Sequence, residues 1–136
     1  MTTVDLDMNN MHRHYGVHDA VDKLSDAKLK ALARFRLDFL KEELREAYNA
    51  LEAGDPEEYV DAMIDLVVVA VGTLNLFGVD FHKAWHEVLK ANLSKEVGVK
   101  PTRPNPLGLP DLIKPEGWVA PSHEGNHGSL TDALKS

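Results

Sequence analysis

The chain has 136 residues, enough for one domain with a modest core of its own. It contains no cysteine, which excludes a disulfide framework and any thiolate metal or redox site. The formal charge of −7 is uneven: residues 1–80 hold 16 acidic and 8 basic side chains, whereas residues 81–118 hold 4 and 6. An acidic body disfavours nonspecific nucleic-acid binding, while the later basic segment can still neutralise a small polyanion. No basic stretch followed by an apolar one opens the chain, and the run Leu66 to Val71 is too short to span a bilayer. The expectation is a cytoplasmic protein without membrane or nucleic-acid partners.

Residues 5–15 read as a short helix or an irregular arm ending at Gly16. Ser25 or Asp26 starts a long helical pattern to Ala53, and Gly54 closes it in the position where glycine tolerates positive φ. Asp55 as N-cap, Pro56 at the first helical position and Glu57-Glu58 in the first turn restart the chain at once. That helix runs to Phe77, with Gly78 as its stop, and Asp80 caps a third helix through about Leu93. Helices joined by so short a turn pack antiparallel. No strand-like alternation is evident, so the class is all-α. Six of the seven prolines lie in residues 100–136, which predicts a helical domain over 1–99 and an extended C-terminal arm over 100–136.

Five carboxylates occupy positions where these helices should be apolar. On the first long helix, Arg34, Asp38, Lys41, Arg45, Asn49 and Glu52 share a polar sector, and Leu37, Leu40, Leu44, Ala47, Tyr48 and Leu51 an apolar one. Leu32, Phe35 and Phe39 form a second apolar stripe that Glu42, Glu43 and Glu46 continue. On the next helix, Ala62 to Phe77 has no polar face and should be buried on nearly every side, which also predicts a dimer or tetramer of hairpins forming four-helix bundles. Asp65 lies within that segment and Asp61 one turn earlier.

Height selects among them. In a hairpin turning near Gly54, Glu46 stands opposite about residue 63 and Glu43 opposite about residue 66, so Asp61 and Asp65 meet the glutamates. Glu58 sits about 7 Å nearer the turn and ranks as an alternative ligand. Buried carboxylates are costly unless paired or coordinating a cation, and an all-oxygen set favours Mg²⁺, with Mn²⁺ as a substitute. His82 and His86, one turn apart, lack further ligands at zinc spacing and read as helix surface.

FLKEELREAYNAL followed by DAMIDLVVVAVGTLNLFGVDFHKAWHEVLKANLSK resembles the all-α nucleotide pyrophosphohydrolases, which include MazG-like enzymes, phosphoribosyl-ATP pyrophosphohydrolases and dimeric dUTPases. Their hallmark is EExxE on one helix and ExxD on the next, binding Mg²⁺. Here the residue three before Asp65 is Ala62, so either Asp61 supplies that ligand or the motif reads Glu58-Tyr59-Val60-Asp61. The height argument prefers the first.

The resemblance implies hydrolysis of a (d)NTP to (d)NMP and pyrophosphate, with Glu42 or Glu43 activating water and Glu43, Glu46, Asp61 and Asp65 as metal ligands. It further implies phosphate contacts from Lys90, Asn92 and Lys95 in ANLSK and its approach, and from Lys114. KPEGW, Lys114 to Trp118, is similar to the tail of small, often phage-borne relatives, whose setting is the host cytoplasm. It invites comparison with the MazZ-type branch acting on guanine nucleotides (dGTP or GTP). Asn10 and His14, in a polar N-terminal segment with Asn9, His12 and Tyr15, and Trp118 are the candidate base contacts. The alternatives are a dUTPase-like or other house-cleaning hydrolase, or a noncatalytic helical binding module.

Overall fold

The computed structural model describes residues 3–103 and 105–136. Helices α1 (Val4–His14), α2 (Val17–Asp22), α3 (Asp26–Ala53) and α4 (Pro56–Leu76) follow one another, then α5 (Phe81–Leu93), strands β1 (Glu96–Gly98) and β2 (Asp111–Ile113), and α6 (Leu130–Ala133). The class is all-α. The two strands were not signalled: three residues apiece, paired antiparallel with Glu96 opposite Ile113, they are too short for an alternating pattern.

The long helices begin and end where local chemistry dictates. The Ser25 hydroxyl accepts from the Lys28 amide at 3.3 Å, and Gly54 closes α3 at φ 67°. Asp55 caps α4 by accepting from the Glu58 amide at 3.1 Å, with Pro56 in the first turn where its missing N–H costs nothing. α3 and α4 then pack along complementary seams. Leu29, Arg36, Glu43, Ala47 and Ala50 recur at seven-, four- and three-residue intervals on α3, and Ala62, Asp65, Val69, Gly72 and Leu76 at alternating three- and four-residue intervals on α4.

The chain divides into two compact units, 1–81 with 125–136, and 82–124. The change in composition at residue 99 thus falls inside the second unit. In the first unit Val21, Leu29, Leu76, Phe77 and Ala133 form the core, with Leu24, Leu32 and Leu130 packed on it. In the second, the β1–β2 hairpin is joined by an Arg103–Asp111 ion pair at 2.8 Å, and the Trp118 indole donates to the Ala91 carbonyl of α5 at 2.8 Å.

One expectation is corrected for the single chain. α4 is not covered on every side: Val60, Ile64 and Val67 are 62%, 57% and 45% exposed. Leu37, Leu44, Tyr48 and Leu51 of α3 are exposed as well, because the seam facing α4 runs through Ala47 and Ala50 rather than through the large residues beside them. α4 is long and apolar enough by composition to cross a membrane, yet it carries Asp65 in its seam and packs on α3, as core helices do.

The C-terminal residues return to the end of α4. Ser129 donates its amide to the Phe77 carbonyl at 2.8 Å, and Gly128 (φ 54°) lies so close that an added Cβ would strike that same carbonyl. Gly128→Ala is therefore expected to lose about 2 kcal/mol or more, read as a lower urea midpoint at unchanged slope.

Candidate functional site

The two seams bring acid to acid. Glu43 and Glu46 stand one turn apart on α3, Asp65 faces them from α4, and carboxylate oxygens of all three lie within 4.8 Å of one another. Glu43 is only 8% exposed, and its Oε2 is buried with no hydrogen-bond partner. Two unit charges at that separation repel by about 3 kcal/mol at an effective dielectric of 20. The arrangement therefore calls for a proton or a cation. Burial first, then contact with and charge from Glu46, then the charges of Asp65 and Glu42, push the Glu43 carboxyl from its ordinary 4.5 up to about 7. Three converging carboxylates suit a hard divalent cation.

The other acidic candidates surround this triad. Glu42 is exposed beside Glu43. Asp61 and Glu58 are exposed on the first turns of α4. Glu58 is raised above its usual range by desolvation, then by the charges of Asp61, Glu46, Asp55 and Asp65, so it lies in the field of the same cluster. Asp65 thus meets Glu43 and Glu46 at one height of the hairpin, while Asp61 stands outside the tight convergence.

The phosphate candidates lie in the second unit. Lys90 pairs with Glu87 at 3.3 Å, and Asn92 is exposed. Lys95 and Lys114 both sit over the Trp118 ring, with their ammonium groups 5.4 and 5.1 Å from its centroid. The KPEGW turn faces α5 across a cavity of about 600 Å³, lined by Lys90, Ser94, Pro115, Trp118 and Pro121 among others. Among the candidate base contacts, Asn10 is exposed and His14 is exposed with its ring stacked edge-on against Tyr15. α1 turns Asn9 and His12 toward α4 instead.

Sequence reasoning missed Arg36. Its guanidinium enters the α3–α4 seam and donates to the Val69 carbonyl at 3.0 Å and to the Thr73 hydroxyl at 2.9 Å. Burial lowers its pKa. Gly72 leaves room for it: a Cβ there would lie 2.9 Å from the Arg36 guanidinium and 3.3 Å from the His12 ring, so one of them would have to shift. The only signal in the sequence was a basic residue two turns before Glu43, between Phe35 and Phe39.

The sign of the pH effect follows from Glu43. Its folded-state pKa lies above the unfolded value, so folding takes up a proton and the associated stability is present below about 4.5 and lost as pH rises through about 7. Chelator-treated protein is expected to melt at a lower temperature at pH 8 than at pH 5.5, and Glu43→Gln to flatten that slope. Thermal melts across the range check both.

A family profile described as phosphoribosyl-ATP pyrophosphohydrolase matches residues 17–92, more than half of the chain, and takes in α2, the whole α3–α4 hairpin with its acidic triad, and nearly all of α5. No curated protein matches the chain closely. On that match the chain belongs to the phosphoribosyl-ATP pyrophosphohydrolase family, within the MazG-like superfamily of nucleoside triphosphate pyrophosphohydrolases.

Proposed function

We propose that the chain is a divalent-cation-dependent pyrophosphohydrolase that converts a (d)NTP to (d)NMP and pyrophosphate, with guanine nucleotides preferred. The observation that carries this reading is the convergence of carboxylate oxygens from Glu43, Glu46 and Asp65 within 4.8 Å, on a Glu43 that is buried and leaves its Oε2 without a hydrogen bond. A Mg²⁺ or Mn²⁺ ion held by these residues, with Asp61 or alternatively Glu58 completing the set, supplies neutralisation of the triphosphate charge.

The chain's own residues account for the rest. Glu42, exposed and outside the convergence, accepts the proton of the attacking water, with Glu43 the other candidate for that role. The water oxygen bonds to phosphorus as the α–β anhydride bond breaks, and pyrophosphate leaves. Lys90, Asn92, Lys95 and Lys114 are the proposed phosphate contacts, and Asn10, His14 and Trp118 remain proposed base contacts. The Lys95 and Lys114 ammonium groups are held by the Trp118 ring rather than by carboxylates, which suits cations kept for an anionic ligand. The exposed apolar face of Leu37, Leu44, Tyr48, Leu51, Val60 and Ile64 supports assembly into a homodimer or homotetramer. The proposed location is the cytoplasm, that of a host if the chain is phage-encoded.

With Mg²⁺, at least one (d)NTP is expected to release pyrophosphate, and Glu46→Gln or Asp65→Asn to lower kcat/KM by about 100-fold, the scale of losing one charge stabiliser. Both variants should melt no lower than the parent in chelator, because each removes a repelling charge. Absence of pyrophosphate from every (d)NTP, with Mn²⁺ also tried, overturns the reading. Light scattering at micromolar concentration should give a dimer or tetramer mass, and a monomer mass contradicts the assembly.

A further inference from the structure

We propose that Arg36 is a positioning residue for the carboxylate triad: by pinning α4 to α3 one turn beyond Asp65, it holds the Asp65 carboxylate against those of Glu43 and Glu46. This rests on the cation-binding part of the pyrophosphohydrolase reading and adds to it a residue that lies outside the acidic motif.

The seam gives a reason for a pin. Around the triad its buried residues are small, with Ala47 and Ala50 on α3 and Ala62 on α4. Alanines let two helices approach closely, but their shallow ridges resist sliding little. The triad itself pushes the helices apart, since carboxylate oxygens of all three members lie within 4.8 Å of one another. A smooth seam with a repelling centre keeps its register only if something else fixes it.

Arg36 supplies that contact. Among the described residues, the hydrogen bonds that cross from α3 to α4 are both made by its guanidinium. Nη2 donates to the Val69 carbonyl at 3.0 Å, and Nε donates to the Thr73 hydroxyl oxygen at 2.9 Å. The two acceptors belong to successive turns of α4 and are themselves bonded, the Thr73 hydroxyl donating to the Val69 carbonyl at 2.6 Å. They therefore stand side by side, matched to the fork of a guanidinium. A bidentate contact fixes direction as well as position, which a single ammonium cannot do. On the α3 side, the Phe39 ring backs the guanidinium, 5.6 Å from its central carbon to the ring centroid.

The pin reaches the triad through the backbone. In an α-helix the Val69 amide donates to the Asp65 carbonyl, so the carbonyl that Arg36 holds belongs to the turn that Asp65 opens. Val69 follows Asp65 by about 6 Å along the axis. On α3, Arg36 and Glu43 lie on one stripe, two turns apart. Both ends of the pin are thus tied by rigid helix to the residues whose convergence they set, and a roll or slide of α4 that separated Asp65 from Glu43 would have to break the fork.

The test titrates Mn²⁺ into the full chain at fixed pH and reads the bound ion by electron paramagnetic resonance, with a thermal melt of each variant in chelator. Arg36→Lys keeps the charge and loses the fork, while Thr73→Val keeps the shape and loses the hydroxyl. Each should weaken Mn²⁺ binding by roughly tenfold or more, the scale of removing a group that orients a metal ligand. Thr73→Ser restores the hydroxyl and should stay within about twofold of the parent, because the orienting bond is kept. Gly128→Ala lowers stability at the C-terminal end of α4 without touching the pin, and should leave Mn²⁺ affinity unchanged. It separates a loss that follows stability from one that follows Arg36. Unchanged affinity in whichever of Arg36→Lys and Thr73→Val folds, or a loss in Gly128→Ala as large as theirs, overturns the proposal and leaves the cation site standing. A parent chain that binds no Mn²⁺ overturns the cation site and the pin with it.

Discussion

Glu43 carries a carboxylate into the contact between α3 and α4, and the hairpin is arranged around that fact. A core residue at this point of the seam would be apolar in a helix pair built for stability alone. Instead Glu46 and Asp65 converge on it within 4.8 Å, and burial with their charges lifts its pKa to about 7. The repulsion is tolerable because the rest of the hairpin is secured at its ends. Asp55 and Pro56 fix the turn on one side, and the core around Phe77, Leu76 and Leu29 fixes the other. A strained polar centre between two well-determined ends is the arrangement expected of a site rather than of a scaffold.

The helices were legible because their punctuation is local. Ser25, Gly54, Asp55, Pro56 and Gly78 act through backbone groups at most a few residues away, so the sequence alone locates the bounds of α3 and α4. The convergence of Glu43, Glu46 and Asp65 was also legible, since helical phase and rise place side chains on a hairpin once its turn is known. What escaped is nonlocal or too short. The β1–β2 pair has three residues per strand, α2 has six residues, and α6 has four. None leaves a periodic trace. Arg36 bonds Val69 and Thr73 more than thirty residues on, and the Asn126 clamp on Asp80 spans 46 positions. Nor does phase alone say which of two apolar stripes meets a neighbour: on α3 the small residues Ala47 and Ala50 face α4, leaving Leu44 and Tyr48 outside.

The two polar clusters of the first unit differ in kind. Around Glu43, like charges are crowded and an oxygen is left without a hydrogen bond, so the cluster is incomplete by itself. Around Asn9, Asn75, His12 and His18, each bond has a donor and an acceptor, and the network orients its members without strain. An incomplete cluster suits binding an ion whose charge the protein cannot supply. A satisfied network suits fastening one helix to another.

Arg36 shows why the seam does not neutralise itself. It lies on the same stripe as Glu43 but two turns earlier, about 10 Å along the axis. Were it one turn away, it could reach the carboxylate, lower its pKa and close the site as an internal ion pair. The Val69 carbonyl and Thr73 hydroxyl draw its guanidinium the other way, and Gly72 makes the space for it. Thr73 itself donates to the same carbonyl at 2.6 Å, which concentrates acceptor density where the guanidinium lies. The cation is thus held by neutral oxygens, while the carboxylates are left crowded against one another. The seven-residue interval between Arg36 and Glu43 keeps the two from cancelling.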